Sequence, residues 1–183
     1  MIRLVLVLAL ATGTATAQSL TDNLGGAFTL IDQTGAERTQ ADPENWHQLV
    51  FFGYANCQEI CSAALPLMAS TVEEVRARGG ALRPVMITVD PTRDTPEAMA
   101  RALPVFHPDF VGLTGSEAAL QEAYDGYSVE FEELFIDPFH GTVFSHGSFI
   151  YLLDGAGEVL TLLPPVLGPE MMAEIVTGYM EAS

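Results

Sequence analysis

Two cysteines, Cys57 and Cys61, stand four residues apart in the stretch LVFFGYANCQEICSAALP, residues 49–66. Residues four apart share one face of a helical turn. Two thiols placed so can close a disulfide, or as thiolates can hold a soft metal ion. In exported proteins such a pair is often only a structural bridge. A bridge closing so small a loop restrains little unfolded-chain entropy, however, and adds little stability. The pattern therefore points toward metal binding or dithiol–disulfide exchange.

The flanking residues say where these thiols are held. Residues 49–52 (LVFF) are an aromatic and β-branched run bounded by Gly53, the pattern of a buried strand. After the cysteines, Ile60, Ala64, Leu67, Met68, Val72 and Val75 recur at helical steps. Pro66 falls inside this helix and removes one hydrogen bond, and residues 78–80 (RGG) end it. The thiols thus sit where a strand hands over to a helix. In open α/β sheets that carboxyl edge is where ligands bind.

Before this core, residues 1–17 read as a targeting segment: Arg3 near the start, an apolar stretch over 4–11, and Ala15-Thr16-Ala17 as a cleavage site. The apolar stretch is short for a membrane span, although an uncleaved N-terminal membrane anchor is the alternative. The mature chain, 18–183, would then occupy an oxidising, periplasm-like compartment as one domain. It holds no lysine, and the whole chain carries 7 basic residues against 24 acids, a net charge of −17. Nucleic acid and anionic membrane surfaces are poor partners for such a chain, whereas metal cations and basic proteins suit it. The same charge serves solubility equally well.

Residues 28–39 predict a hairpin around Gln33-Thr34-Gly35. Trp46 is expected in the core or as a lid over the first strand, and His47 as a structural or surface residue. Residues 82–89 predict a central strand, followed by a helix capped by Thr95 with Pro96 at its first position. Residues 110–113 predict a strand, and Ser116 caps a helix running to about Tyr124. Residues 129–139 (VEFEELFIDPF) are expected as an acidic, aromatic loop, a flap over the site. A hairpin over 148–163 turning at 154–157, then a helix over 169–180, complete the chain. His107 reads as a surface residue.

Four stretches together resemble the Sco/SenC family of copper-carrying proteins. They are FFGYANCQEICS (51–62), VDPTRDTPEA (89–98), FVGLTGS (110–116), and Ser145-His146 followed by FIYLLDGAGE (149–158). The resemblance spans about residues 26–180 and implies an α/β, thioredoxin-like fold: a central mixed sheet flanked by helices, with an N-terminal β-hairpin. The predicted order ββ-β-α-β-α-β-α-β-β-α fits it. It further implies that Cys57, Cys61 and His146 bind copper, as Cu(I), Cu(II) or both, and that the cysteines form a redox-active pair. Soft Cu(I) prefers thiolate and accepts imidazole. Three ligands leave a side open for handing metal onward, unlike a closed four-ligand zinc site. His140 would be an auxiliary ligand. Asp90, Arg93 and Asp94 would lie at the same edge and form a surrounding shell or a partner-docking loop, or else serve turn and cap chemistry with an Asp–Arg pair. The implied partner is the copper-centre subunit of cytochrome c oxidase, with other periplasmic copper carriers or thiol reductases besides.

Gln58 and Ser62 stand where the family usually has proline after each cysteine, and Ser145 where it usually has Asp. These departures leave the three ligands in place and bear on affinity, potential or partner. The competing classes are a thiol–disulfide oxidoreductase or peroxidase using Cys57 and Cys61, and a redox or copper sensor. Glu59 between the cysteines, with no basic residue near in sequence, disfavours an unassisted reactive thiolate. A bound copper ion would offset that acid.

Overall fold

The computed structural model describes residues 21, 23–55, 61–139 and 141–182. The leader expected over 1–17, and both Cys57 and His140, lie outside these residues. Among the described residues nine strands and four helices follow in order: β1 (Thr29–Asp32), β2 (Glu37–Thr39), β3 (His47–Gly53), α1 (Cys61–Ala77), β4 (Leu82–Thr88), α2 (Pro96–Ala102), β5 (Val111–Thr114), α3 (Glu117–Gly126), β6 (Phe131–Asp137), β7 (Gly141–His146), β8 (Ile150–Leu153), β9 (Val159–Leu163) and α4 (Pro169–Ala182). Seven strands make one mixed sheet in the order β2-β1-β5-β4-β3-β8-β9, and β6 and β7 form a separate two-stranded sheet.

The continuous apolar runs explain the centre. β3, β4 and β5 pair in parallel, and a parallel strand covered on both faces must be apolar along its whole length. Accordingly every residue of β3 after His47 is buried, and in β4 only Arg83 is not. Phe51, Phe52, Met86 and Ile87 form the middle of the core with Met68 of α1. β4 contains Pro84, which cannot donate to a ladder. It is tolerated because pairing with β5 begins only at Val85. Gly112 in β5 is required by close approach: a Cβ there would lie 2.5 Å from Leu103 Cδ1 and 2.7 Å from Met99 Sδ. α1 packs on β3, β4 and α4, α2 on β5, and α3 on β1.

The N-terminal hairpin, the central strands, the Thr95 and Ser116 caps and the final hairpin and helix all form as the sequence predicts. Two expectations are corrected. Residues 131–137 are a strand, not a loop: β6 pairs antiparallel with β7 from Phe131↔His146 to Asp137↔Gly141, with a register shift between Glu133 and Phe135. His107 is buried, only 5% exposed, because Pro108 and a short 3-10 turn over Leu103–Val105 tuck it against α1. There its Nε2 lies 2.7 Å from Glu73 Oε1, and its Nδ1 accepts from the Asp109 amide at 3.1 Å. Trp46 is half-buried at the rim, with the Arg83 guanidinium 4.5 Å from its ring centroid.

Candidate metal centre

The site lies at the carboxyl ends of β3 and β4. β3 leaves the sheet at Gly53, whose carbonyl accepts from Val89 at 2.8 Å. The two strand exits are thereby tied together just before the cysteine segment. Asp94 fixes the next step. One of its oxygens, Oδ2, accepts from the Ala55 amide at 3.0 Å and from Thr88 Oγ1 at 2.7 Å. Thr88 Oγ1 in turn accepts from the Asp90 amide at 2.9 Å. Burial pushes the Asp94 carboxyl above the usual range, and the Thr88 and Ala55 hydrogen bonds oppose that rise. Asp94 is therefore a buried acceptor that pins the chain two residues before Cys57.

Asp90 is also buried. It accepts from Thr92 Oγ1 at 2.7 Å and forms an ion pair with Arg93. Arg93 reaches across to the β6–β7 hairpin and donates to the Thr142 carbonyl. Its guanidinium also stands 5.6 Å from the Tyr54 ring centroid. One side chain thus joins the β4–α2 turn, the exit of β3 and the second sheet. Gly141, at φ 78°, leaves space for it: a Cβ there would lie 2.4 Å from an Arg93 terminal nitrogen.

His146 is carried by that second sheet. It ends β7, four residues before β8 begins at Ile150. Its ring meets Phe51 at 5.6 Å and Tyr54 at 5.9 Å, both edge-on. The hairpin base is fixed by Phe144 against Tyr54 at 5.6 Å and by Phe131 against Tyr124 at 5.0 Å. His146 Nδ1 lies 2.9 Å from the Gly147 carbonyl. A carbonyl only accepts, so in the neutral ring Nδ1 carries the proton and Nε2 the lone pair, the form in which imidazole ligates metals. A second hydrogen bond that fixes the tautomer is the usual device around ligating histidines.

Of the residues predicted for the site, the structure brings His146, Asp90 and Asp94 to one edge, around the exit of β3. Cys61 is the first residue of α1, but its side chain, Cys57 and His140 lie outside the described residues. Among the described residues no three metal-binding side chains converge. Tyr54 was not singled out by its chemistry. Arg93 was expected at this edge with Asp90 and Asp94, and the Asp90–Arg93 pair forms, but its partner Thr142 is 49 residues away, so no local spacing announces that contact. The absence of a basic residue near the cysteines in sequence is also qualified, since Arg93 stands over Tyr54, three residues before Cys57.

The SCO1/SenC family profile matches residues 16–181. Protein SenC of Rhodobacter capsulatus is 33% identical over 172 residues, covering 93% of this chain and 75% of that protein. The crystal structure of yeast Sco1 with copper bound superposes with a TM-score of 0.80 at 28% identity, covering 88% of this chain and 90% of that one. BsSco, described as a member of the Sco family of cytochrome c oxidase assembly proteins, shares the fold at a TM-score of 0.64 and 21% identity, over 91% of this chain and all of that one. A match that runs through the strand exits, the hairpin and the closing helix covers every element that builds the site, and the chain belongs to the SCO1/SenC family.

Proposed function

We propose that this chain binds copper through Cys57, Cys61 and His146 and delivers it to the binuclear copper centre of cytochrome c oxidase. The single observation that carries the reading is the seat of His146. An imidazole held edge-on to Phe51 and Tyr54 stands beside the strand that leads into the cysteine segment. Copper bound in the yeast relative supports the choice of metal. Copper is cargo in this reading, so an incomplete ligand shell is useful: it leaves a side on which a recipient's ligands can enter. Asp94 would hold the approach to Cys57, and Arg93 would hold the His146 hairpin against Tyr54.

The thiol pair would have a second role. As a dithiol it can pass two electrons and two protons to a recipient disulfide, becoming a disulfide itself, and in that form it offers copper no thiolates. The chain would work in the periplasm, with residues 1–17 as a cleaved leader and 18–183 as the working domain. Among the described residues no helix is long and apolar enough to cross a membrane.

The test is an anaerobic copper titration of the reduced 18–183 chain, read by native mass and visible absorption, beside His146→Ala and a double-cysteine variant. One tightly bound copper with thiolate-to-metal absorption, weakened in His146→Ala, is expected. Binding no better than that of the double-cysteine variant would overturn the copper site and leave thiol–disulfide exchange as the function of the pair.

A further inference from the structure

A half-buried strand should hide one face. The outer half of β6 hides neither: Leu134, Phe135 and Ile136 are 53%, 55% and 70% exposed, and Phe139 in the turn is 91% exposed. The cause is visible in the topology. Among the described residues the β6–β7 sheet has no third strand. Its base packs on the domain through Phe131 and Phe144 against Tyr124 and Tyr54. On the β7 side Arg93 holds the Thr142 carbonyl, opposite Ile136, while the β6 side chains at that end stay exposed. The result is an anchored arm with an apolar tip. Contiguous exposed apolar residues of this kind mark interaction surfaces.

The arm leads to the site. Phe131 pairs with His146 across the hairpin, and at about 3.3 Å per residue Ile136 lies roughly 17 Å farther out. At the base, an open groove of about 710 Å³ runs between α3 and the hairpin, with Gln121, Glu130, Phe131 and His146 in its lining. A body seated on the tip would extend over this groove and reach His146.

Charge selects the occupant. Glu130, Glu132, Glu133 and Asp137 flank the apolar residues, and residues 129–146 contain no arginine or lysine. A second copy would set these acids against their equals on a chain of net charge −17, and anionic lipid would be repelled likewise. A surface with an apolar centre and a basic rim meets both features.

We propose that the outer half of the β6–β7 hairpin docks a protein partner presenting an apolar patch rimmed by arginine or lysine, and holds that partner's metal-accepting groups over His146. The inference rests on the copper-delivery reading for the identity of the partner. Its test therefore uses the soluble copper-centre domain of cytochrome c oxidase from the organism that makes this chain. Binding is measured by titration calorimetry with the reduced, copper-free protein, so that docking is read independently of metal loading.

Phe135→Ser with Ile136→Thr alters two exposed side chains and is expected to weaken the complex about 10- to 100-fold, leaving copper stoichiometry and thermal midpoint as in the parent. Glu132→Arg with Glu133→Arg should weaken it further at low salt, and the parent complex should weaken as salt rises. An unchanged dissociation constant in the apolar variant overturns the proposal, as does absence of a parent complex. Loss of copper binding in that variant also overturns it, since the tip would then serve the metal site. A parent dimer in sedimentation that the apolar variant abolishes, or parent binding to phosphatidylglycerol vesicles, would assign the tip to another occupant and overturn it too. Failure of copper binding by the parent sinks the delivery reading alone, because the docking titration uses no metal.

Discussion

Asp94 offers the sharpest check on how the site is held. Both of its donors, the Ala55 amide and the Thr88 hydroxyl, converge on the same oxygen. Asp94→Ala removes that acceptor from a residue only 2% exposed. Hydrogen bonds to a charged group contribute about 1.5–3 kcal/mol each. Removing a buried carboxylate that burial itself disfavours gives part of this back. The net expected loss is about 2–4 kcal/mol. Asp94→Asn keeps a carbonyl oxygen where both donors point, and should cost under about 1 kcal/mol. Urea unfolding with an unchanged slope measures both.

The same change reaches the metal. Without Asp94, Ala55 loses its anchor two residues before Cys57. Re-ordering one backbone residue on binding costs about 1–2 kcal/mol, equivalent to a five- to thirtyfold weaker copper dissociation constant. A competition titration against a copper chelator reads this directly, with Asp94→Asn near the parent. The reasoning is refuted if the two variants behave alike, if Asp94→Ala lies within about 0.5 kcal/mol of the parent, or if its copper affinity is unchanged.

Two further predictions concern the frame. Gly112→Ala drives a methyl into Leu103 and Met99, both fully buried, and should destabilise by about 1–3 kcal/mol; a higher denaturant midpoint would show that α2 yields freely. At Asp32, burial would raise the carboxyl, but hydrogen bonds from the Thr34 side chain, Arg38 and the Thr34 and Ala36 amides outweigh it and hold it at about 2, against the ordinary 3.8. A depressed folded value stabilises above the unfolded one and is lost as pH falls from 3.8 toward 2, on the order of 2 kcal/mol. Asp32→Asn should lose about that amount at pH 7 and show a shallower loss of stability over that acid window; parallel pH curves for variant and parent would contradict it.

The parts of this fold that the sequence discloses are those with a strong local signature. The apolar runs of β3 and β4 can only be covered strands, and Thr95-Pro96 and Ser116 mark helix starts by their own chemistry. What local pattern misses is what a distant partner decides. The β6 segment reads as a loop because its apolar and acidic residues do not alternate cleanly. Its bulge between Glu133 and Phe135 breaks the period of two that would announce a strand. His107 reads as surface because nothing in its local sequence announces a polar partner in the interior, yet Glu73, 34 positions earlier, pairs with its ring. His146, the proposed histidine ligand, was legible only through the motif match, since nothing near it in sequence shows which rings it will meet.

That division explains why the site can be tuned without disturbing the fold. The cysteine segment leaves from β3 in the main sheet, whereas His146 is carried by a two-stranded sheet with its own pairing. Contacts between the two bodies include the Tyr54 ring against Phe144 and His146, Phe51 against His146 and Tyr124 against Phe131, and Arg93 with its carbonyl partner Thr142. Each contact touches the position of the imidazole relative to β3, and none is needed to close the seven-stranded core. On the proposed copper reading, substitutions on the hairpin would therefore shift how His146 meets a metal held by the thiols. If the site releases copper to a recipient as proposed, it would gain from that arrangement, because one proposed ligand sits on a sheet that a docking partner would contact.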